Sequence, residues 1–161
     1  MIQADKSNER KSLRQLEPKL RAIREVLAKH VGSCEAYLDL GCGDGSLTEY
    51  VAKIVGAKDV CCVDLDPQGL RKASLRGFRT FQLDLNSATL PFEDSSFDLV
   101  TAMDVIEHLL NPDNVLKEAY RCLRKGGSLA HSSKHGLMVQ SGAPTSWRTY
   151  SRHRLVQGDT I

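Results

Sequence analysis

The segment Tyr37–Thr48, YLDLGCGDGSLT, constrains the fold more than any other stretch of the chain. A short apolar run passes directly into glycines at positions 41, 43 and 45, and the apolar spacing then becomes helical. Glycines at the carboxyl end of a strand let the backbone turn tightly and approach a ligand closely, with a helix N-terminus behind them. A plain strand–helix turn would explain the glycines alone. It would not explain Asp64, which ends the next apolar run roughly 20 residues downstream, where a carboxylate holds the two hydroxyls of a ribose. The pair of features points to a nucleoside-containing ligand.

The rest of the chain repeats the same unit. Leu20, Ile23, Leu27 and Val31 continue a helical stripe begun by Leu13 and Leu16, and Pro18 marks where that helix begins or kinks. EAYLDL, DVCCVDLD, RTFQLDL and FDLVTAMDVI read as four strands. Between and after them lie helical segments: SLTEYVAKIVG, PQGLRKASLRG with proline in its first turn, and PDNVLKEAYRCLRKGG with a glycine cap at its end. Alternation of this kind argues for an α/β fold, a Rossmann-like, doubly wound parallel sheet with helices on both faces. Right-handed crossovers and the switch-point rule give the strand order 3-2-1-4, with the ligand across the ends of strands 1 and 4. The reading divides the chain into an N-terminal helical extension over 1–35, a core over 36–130 and an irregular tail over 131–161.

Composition excludes several classes. With 161 residues, 41% apolar and 26% charged, the chain suits one ordinary globular domain. A net charge of +2 does not argue for nucleic acid. No apolar run approaches a membrane span, MIQADKSNERK is no signal peptide, and a cytoplasmic location follows by default. The five cysteines have no metal-ligand spacing and read as small apolar residues. His131 and His135 stand four apart without the glutamate or helix a zinc site needs, so no metal is expected.

The loop itself narrows the nucleoside. A dinucleotide site wants G-x-G-x-x-G; here the spacing is G-x-G-x-G, with Ser46 where the last small residue would fall. Asp39, two residues before Gly41, would repel a pyrophosphate but suits a cation. These features disfavour a nicotinamide-dependent oxidoreductase. A sulfonium with an amino group and no phosphate fits, which is the chemistry of S-adenosylmethionine. Together YLDLGCGDGSLT, VDLDP, QLDLN, LPFEDSSFDLVTAMDVIEHLLNP and VLKEAYRCLRKGG resemble a class I S-adenosylmethionine-dependent methyltransferase of the small-molecule methyltransferase-domain type, over about residues 36 to 130.

The resemblance implies the following site. Asp39, Gly41 and Gly43 would line the methionine end and sulfonium. Asp64 would hold the ribose hydroxyls, with Leu65 against the adenine. Asp84 would accept from the adenine amino group while the backbone N–H of Leu85 meets the ring. Met103 and Asp104 would close the pocket at the end of the fourth strand. Bland roles stand beside these: Asp84 as a cap of the turn after its strand, Asp66 as a helix cap, and Glu107 and His108 as structural polar residues near the acceptor's approach. The resemblance implies a small-molecule methyl acceptor and names no catalytic residue, because the methyl group arrives already activated.

After Ala130 the pattern breaks. His131, Ser132, Ser133, Lys134 and His135 stand where a fifth, apolar strand is due, and of the 20 acidic residues only Asp159 lies beyond residue 130. The later strands are therefore expected to be degraded or missing, which would leave the fourth strand as an edge prone to self-association. The genetic code offers a cause. Met138-Val139 is encoded ATG-GTN, and reading one base later forces tryptophan. The surrounding codons permit PNMASWYNR in that frame, similar to the Pro-Asn followed by Trp and Arg that many relatives carry after their fifth strand. On this reading the tail is frame-shifted and the chain lacks the acceptor pocket. The alternative to an active methyltransferase is then an inactive fragment that keeps the cofactor half.

Overall fold

The computed structural model describes residues 17–87, 89–133 and 136–141. Its elements, in order, are α1 (17–30), β1 (Ala36–Leu40), α2 (Ser46–Val55), β2 (Asp59–Asp64), α3 (Pro67–Leu75), β3 (Arg79–Gln82), β4 (Phe97–Met103), a short 3-10 turn (Ile106–His108), α4 (Pro112–Cys122), β5 (Leu123–Ser133) and β6 (Gly136–Ser141). They form one six-stranded sheet in the order β3-β2-β1-β4-β5-β6. The pairs β1–β2, β1–β4, β2–β3 and β4–β5 are parallel, and β5–β6 is antiparallel.

The expected 3-2-1-4 core is present. Its handedness explains where the helices lie. Travelling outward from β1 to β2 to β3 places α2 and α3 on one face, because parallel crossovers are right-handed. Travelling the other way, from β4 to β5, places α4 on the opposite face. Ile23 and Leu27 of α1, Val51 of α2 and Ala73 of α3 therefore share one apolar cluster, with Tyr37, Cys62, Leu99 and Met103. Val115, Leu116 and Ala119 of α4 pack in the other, on Leu38, Leu40, Val63 and Val100. All five residues of β1 are buried, as a central parallel strand covered on both faces requires. All five cysteines are buried and free.

A local signal was read correctly at one helix start. The described part of α1 opens at residue 17, and Leu13 and Leu16 lie outside the described residues. Pro67 opens α3, and the Asp66 carboxylate caps it by accepting the Gln68 and Gly69 N–H groups at 2.9 and 3.0 Å. Asp66 is thus the helix cap it was weighed as.

Three expectations need correction. Helix α4 does not run to a glycine cap: it ends at Cys122 and turns straight into β5 at Leu123. Gly126 (φ 84°) and Gly127 instead serve an irregularity within β5, where the register jumps from Phe97↔Leu123 to Leu99↔Ser128. A Cβ on Gly127 would meet the Asp98 and Arg124 carbonyl oxygens at 3.0 Å.

The strand after Ala130 is also not lost. Residues 131–133 extend β5, and 136–141 return beside it as β6, so this part of the supposed irregular tail is sheet. Its polar residues find polar partners. Ser128 Oγ lies 2.9 Å from Ser141 Oγ, and Ser132 Oγ donates to Asp104 at 2.8 Å. Residues 142–161 lie outside the described residues. Finally, β4 is not an edge, since β1 and β5 flank it; the sheet's ends are β3 and β6. The reason given for self-association therefore fails. Among the described residues, no helix is long and apolar enough to cross a membrane.

Candidate functional site

The carboxyl ends of β1, β2 and β4 meet where the strand order reverses, which is where open α/β sheets bind ligands. The loop between β1 and α2 is built from Gly41, Gly43 and Gly45, with φ of 76°, 54° and 77°. Side chains avoid this left-handed region, so the glycines are a backbone requirement. The Gly41 and Cys42 N–H groups donate to the Val63 carbonyl at 2.7 and 3.2 Å, tying the loop to β2.

The three glycines have different surroundings. A Cβ on Gly41 would stand 2.2 Å from Val105 Cγ2, and one on Gly45 would meet Ala73 at 3.0 Å, whereas beside Gly43 the space is open. From behind, Gly69 of α3 lets that helix reach the loop: a Cβ there would sit 2.7 Å from the Gly43 carbonyl oxygen. The outer side is clasped by Arg76, which donates to the Asp44 carbonyl at 3.0 Å and Ser46 Oγ at 2.8 Å.

Asp64, at the end of β2, faces this loop. Its Oδ2 accepts the Gly43 N–H at 2.7 Å and its Oδ1 the Asp66 N–H at 2.9 Å. Leu65 beside it is 60% exposed, an apolar side chain left uncovered at the rim. Asp84 lies after β3, exposed, and its Oδ1 accepts the Asn86 N–H at 2.9 Å and Asn86 Nδ2 at 3.1 Å. The turn-capping role weighed for Asp84 is therefore present. Leu85 is buried in the α4-side core.

Asp39 occupies a different setting from its neighbours. It is 4% exposed, beneath the loop, and its two oxygens accept from Thr48 Oγ1 at 2.6 Å and Thr101 Oγ1 at 2.5 Å. Tyr37 Oη extends this network to Thr101 at 2.7 Å. Burial pushes the carboxyl up to about 6, against the downward pull of the threonine and tyrosine hydroxyls. Asp39 thus faces hydroxyls, and its charge acts on the loop from below.

Met103 is buried at the end of β4. Asp104 follows it with φ 55°, a conformation rare for a residue with a side chain. Ser132 of β5 holds it there, accepting the Asp104 N–H at 3.0 Å and donating to Oδ1 at 2.8 Å. Lys19 of α1 reaches Asp104 Oδ2 as an ion pair. Partial burial pushes the Asp104 carboxyl up, but the hydrogen bonds from Lys19 and Ser132, with the charge of Lys19, outweigh it and hold the group below its ordinary range.

The fold therefore brings Asp39, Gly41, Gly43, Asp64, Met103 and Asp104 together around one loop, with Leu65, Asp84 and Leu85 along the ends of β2 and β3. Sequence reasoning missed Thr48, Thr101, Val105, Arg76 and Lys19. Only the last carries a weak local signal, being a cation at the start of an amphipathic helix. Among the described residues, no group of histidine, cysteine or carboxylate side chains could hold a metal ion.

Comparison with known proteins defines the class. Residues 38–131 match the family model described as Methyltransferase domain, which spans more than half of the chain. The chain belongs to this family, that of the class I S-adenosylmethionine-dependent methyltransferases, and S-adenosylmethionine is the cofactor the family binds. A ubiquinone biosynthesis O-methyltransferase of Xanthomonas oryzae is 35% identical over 97 residues, covering 57% of this chain and 40% of its own. The "Probable S-adenosylmethionine-dependent methyltransferase" of Mycobacterium tuberculosis is 32% identical over 118 residues, 73% of this chain and 42% of its own. Among solved structures, an S-adenosylmethionine-dependent methyltransferase of Mesorhizobium loti superposes with a TM-score of 0.60 at 27% identity, covering 74% of this chain and 54% of that one. The chain thus spans less than half the length of the two curated relatives.

Proposed function

We propose that the chain holds S-adenosylmethionine across the carboxyl ends of β1 and β4 and, within its complete protein, presents it to a small-molecule acceptor. The observation that carries this is the position of Asp64: it fixes the glycine loop through the Gly43 amide while the space beside Gly43 stays open. An ionised carboxylate has about four acceptor positions. Two are taken by backbone amides, so both oxygens retain a lone pair for ribose hydroxyls. Leu65 offers an uncovered apolar face to the adenine, with Asp84 and the Leu85 N–H at the ring's edge. Met103 and Asp104 lie toward the methionine end. Gly41 lets the backbone pass under Val105, and Asp39 supplies negative charge from beneath the loop.

When bound, the cofactor supplies a methyl group on a sulfonium, open to in-line displacement by an acceptor atom. The protein's share is then to position the reactants and exclude water, and no residue here is assigned as a catalytic base. The O-methyltransferase name of the Xanthomonas relative supports a small-molecule acceptor. A cytoplasmic setting follows the same reading. Radiolabelled methyl transfer from S-adenosylmethionine over a panel of phenols, amines and thiols tests the proposal. Labelled product that depends on Asp64 supports it; retention of cofactor without transfer to any acceptor supports the second reading.

That second reading is a cofactor-binding fragment that lacks the acceptor half. It is supported by the near absence of acidic residues after 130 and by the tryptophan forced at Met138-Val139 in the shifted frame. Sequencing the gene and its transcript separates the two. A shifted frame that stays open and spells Pro-Asn before the tryptophan supports the fragment; an early stop in that frame sinks it.

A further inference from the structure

We propose that Cys42 and Cys62 form an oxidation site: a peroxide joins them as a disulfide, and that bond draws the glycine loop out of the conformation that takes the cofactor. The bond itself concerns this chain's thiols alone; its effect on binding rests on the cofactor reading above.

The fold sorts the five buried cysteines by face. Cys61 and Cys122 lie in the core cluster on the α4 side, and Cys34, Cys42 and Cys62 in the one on the α1 side. Cys62 pairs with Asp39 across β1 and β2, beneath the loop. The Cys42 N–H donates to the carbonyl of the residue after Cys62, Val63, at 3.2 Å. The two thiols meet in a hydrogen bond, and Cys42 Sγ also lies 3.6 Å from the Gly43 carbonyl oxygen. That hydrogen bond, burial, and the charges of Asp39 and Asp64 push the Cys42 thiol well above its ordinary range. An enclosed, protonated thiol is a poor nucleophile. With the loop closed, the pair is inert.

Opening the loop changes this. Gly41 and Gly43 flank Cys42 with φ of 76° and 54°, and glycine moves between such backbone states with little steric cost. Cys42 keeps 7% exposure and Cys62 none, so peroxide meets Cys42 first. The Cys42 thiolate attacks peroxide: the O–O bond breaks, an S–O bond forms, and the departing oxygen leaves as water with the proton the thiol gave up. The Cys62 sulfur then attacks the Cys42 sulfenic acid; an S–S bond forms, the S–O bond breaks and a second water departs. The thiols are oxidised and the peroxide is reduced to water. Bonded sulfurs stand about 2.05 Å apart, well inside any hydrogen-bonded contact, so Cys42 is drawn onto β2. Gly43 moves with it, which disturbs its 2.7 Å bond to Asp64. Bound cofactor acts the other way: packed on the loop, it keeps Cys42 enclosed and guards the pair.

The test treats the folded 161-residue chain with hydrogen peroxide, with and without S-adenosylhomocysteine, and blocks the remaining thiols before peptide mapping. The expected product has lost the mass of two hydrogen atoms and carries a link between Cys42 and Cys62. It should form more slowly with the ligand bound and revert with dithiothreitol. Cys42→Ala and Cys62→Ala should each abolish the link, whereas Cys61→Ala, on the opposite face, should keep it. In titration calorimetry the oxidised chain should bind S-adenosylhomocysteine about tenfold more weakly, with reduction restoring the affinity. A link from Cys62 to Cys34, a product with no link, equal rates with and without ligand, or an oxidised chain that binds as tightly as the reduced one overturns the proposal. A reduced chain that does not bind S-adenosylhomocysteine overturns the cofactor reading and the gating with it, while the peptide map still decides the bond.

Discussion

The Asp64 carboxylate accepts the Gly43 N–H at 2.7 Å, so the residue that ends β2 also sets the conformation of the loop that follows β1. The same carboxylate accepts the Asp66 N–H at 2.9 Å, next to the cap of α3. Two turns of the site, the one between β1 and α2 and the one between β2 and α3, are thereby coupled to one side chain. Removing it should cost binding twice, through the proposed ribose contact and through the loop. Asp64→Ala should weaken S-adenosylhomocysteine by about 1.5–3 kcal/mol, the scale of a hydrogen bond to a charged group. Unaltered affinity would take Asp64 out of the site.

The glycines at 41 and 43 should respond differently to alanine. At either position the left-handed backbone costs about 1–2 kcal/mol. At 41 the new methyl also runs into Val105 Cγ2, at 2.2 Å, and overpacking of this kind adds about 1–3 kcal/mol. Gly41→Ala should therefore unfold at lower denaturant than Gly43→Ala. Beside Gly43 the methyl enters open space, so that variant should lose cofactor affinity more than stability. The reverse order of denaturation midpoints would contradict the packing described.

Asp39 should make stability depend on pH. Burial, the largest influence, raises its carboxyl from 3.8 to about 6 in the folded chain. A carboxyl raised by folding contributes stability that is complete below its unfolded value and lost as pH climbs through its folded value. Asp39→Asn does not titrate. Its stability relative to the parent should therefore rise by about 2–3 kcal/mol between about pH 4 and pH 7, whatever constant offset the lost threonine bonds impose. Urea midpoints of both proteins across that range give the difference, and a flat difference would contradict the assignment.

How much of this was legible in the sequence depends on where each partner lies. The strand order, the glycine loop and the Asp66 cap follow from apolar runs, glycine spacing and proline placement, all local signals. The second half of β5 does not. Ser128, His131 and Ser132 look unlike a core strand because Ser128 and Ser132 are satisfied by distant groups: the His30 carbonyl, Ser141 and Asp104. Gly126-Gly127 read as a helix end, and their actual use is the register jump against Phe97 and Leu99. The enclosure of Asp39 was equally hidden, since Thr101 stands 62 positions away.

Arg121 should prove a structural hub. Its guanidinium donates to the Phe92 carbonyl and Asp94 at 2.8 Å, to the Leu90 carbonyl at 2.9 Å, and to both oxygens of Glu118 at 3.0 and 2.8 Å. This fork fixes the segment between β3 and β4 against α4, and lysine cannot reproduce it. Arg121→Lys should destabilise by about 1.5–3 kcal/mol in chemical denaturation and leave cofactor affinity near that of the parent. Parental stability would show the network to be incidental.

The central claim is that the cradle at the β1–β4 switch point takes S-adenosylmethionine and rejects a dinucleotide. Titration calorimetry of the chain with S-adenosylhomocysteine and, separately, with NAD tests it most directly. Saturable binding of S-adenosylhomocysteine, lost or weakened in Asp64→Ala, with no heat from NAD, is the predicted result. Binding of NAD that is lost in Asp64→Ala, with no heat from S-adenosylhomocysteine, would contradict it.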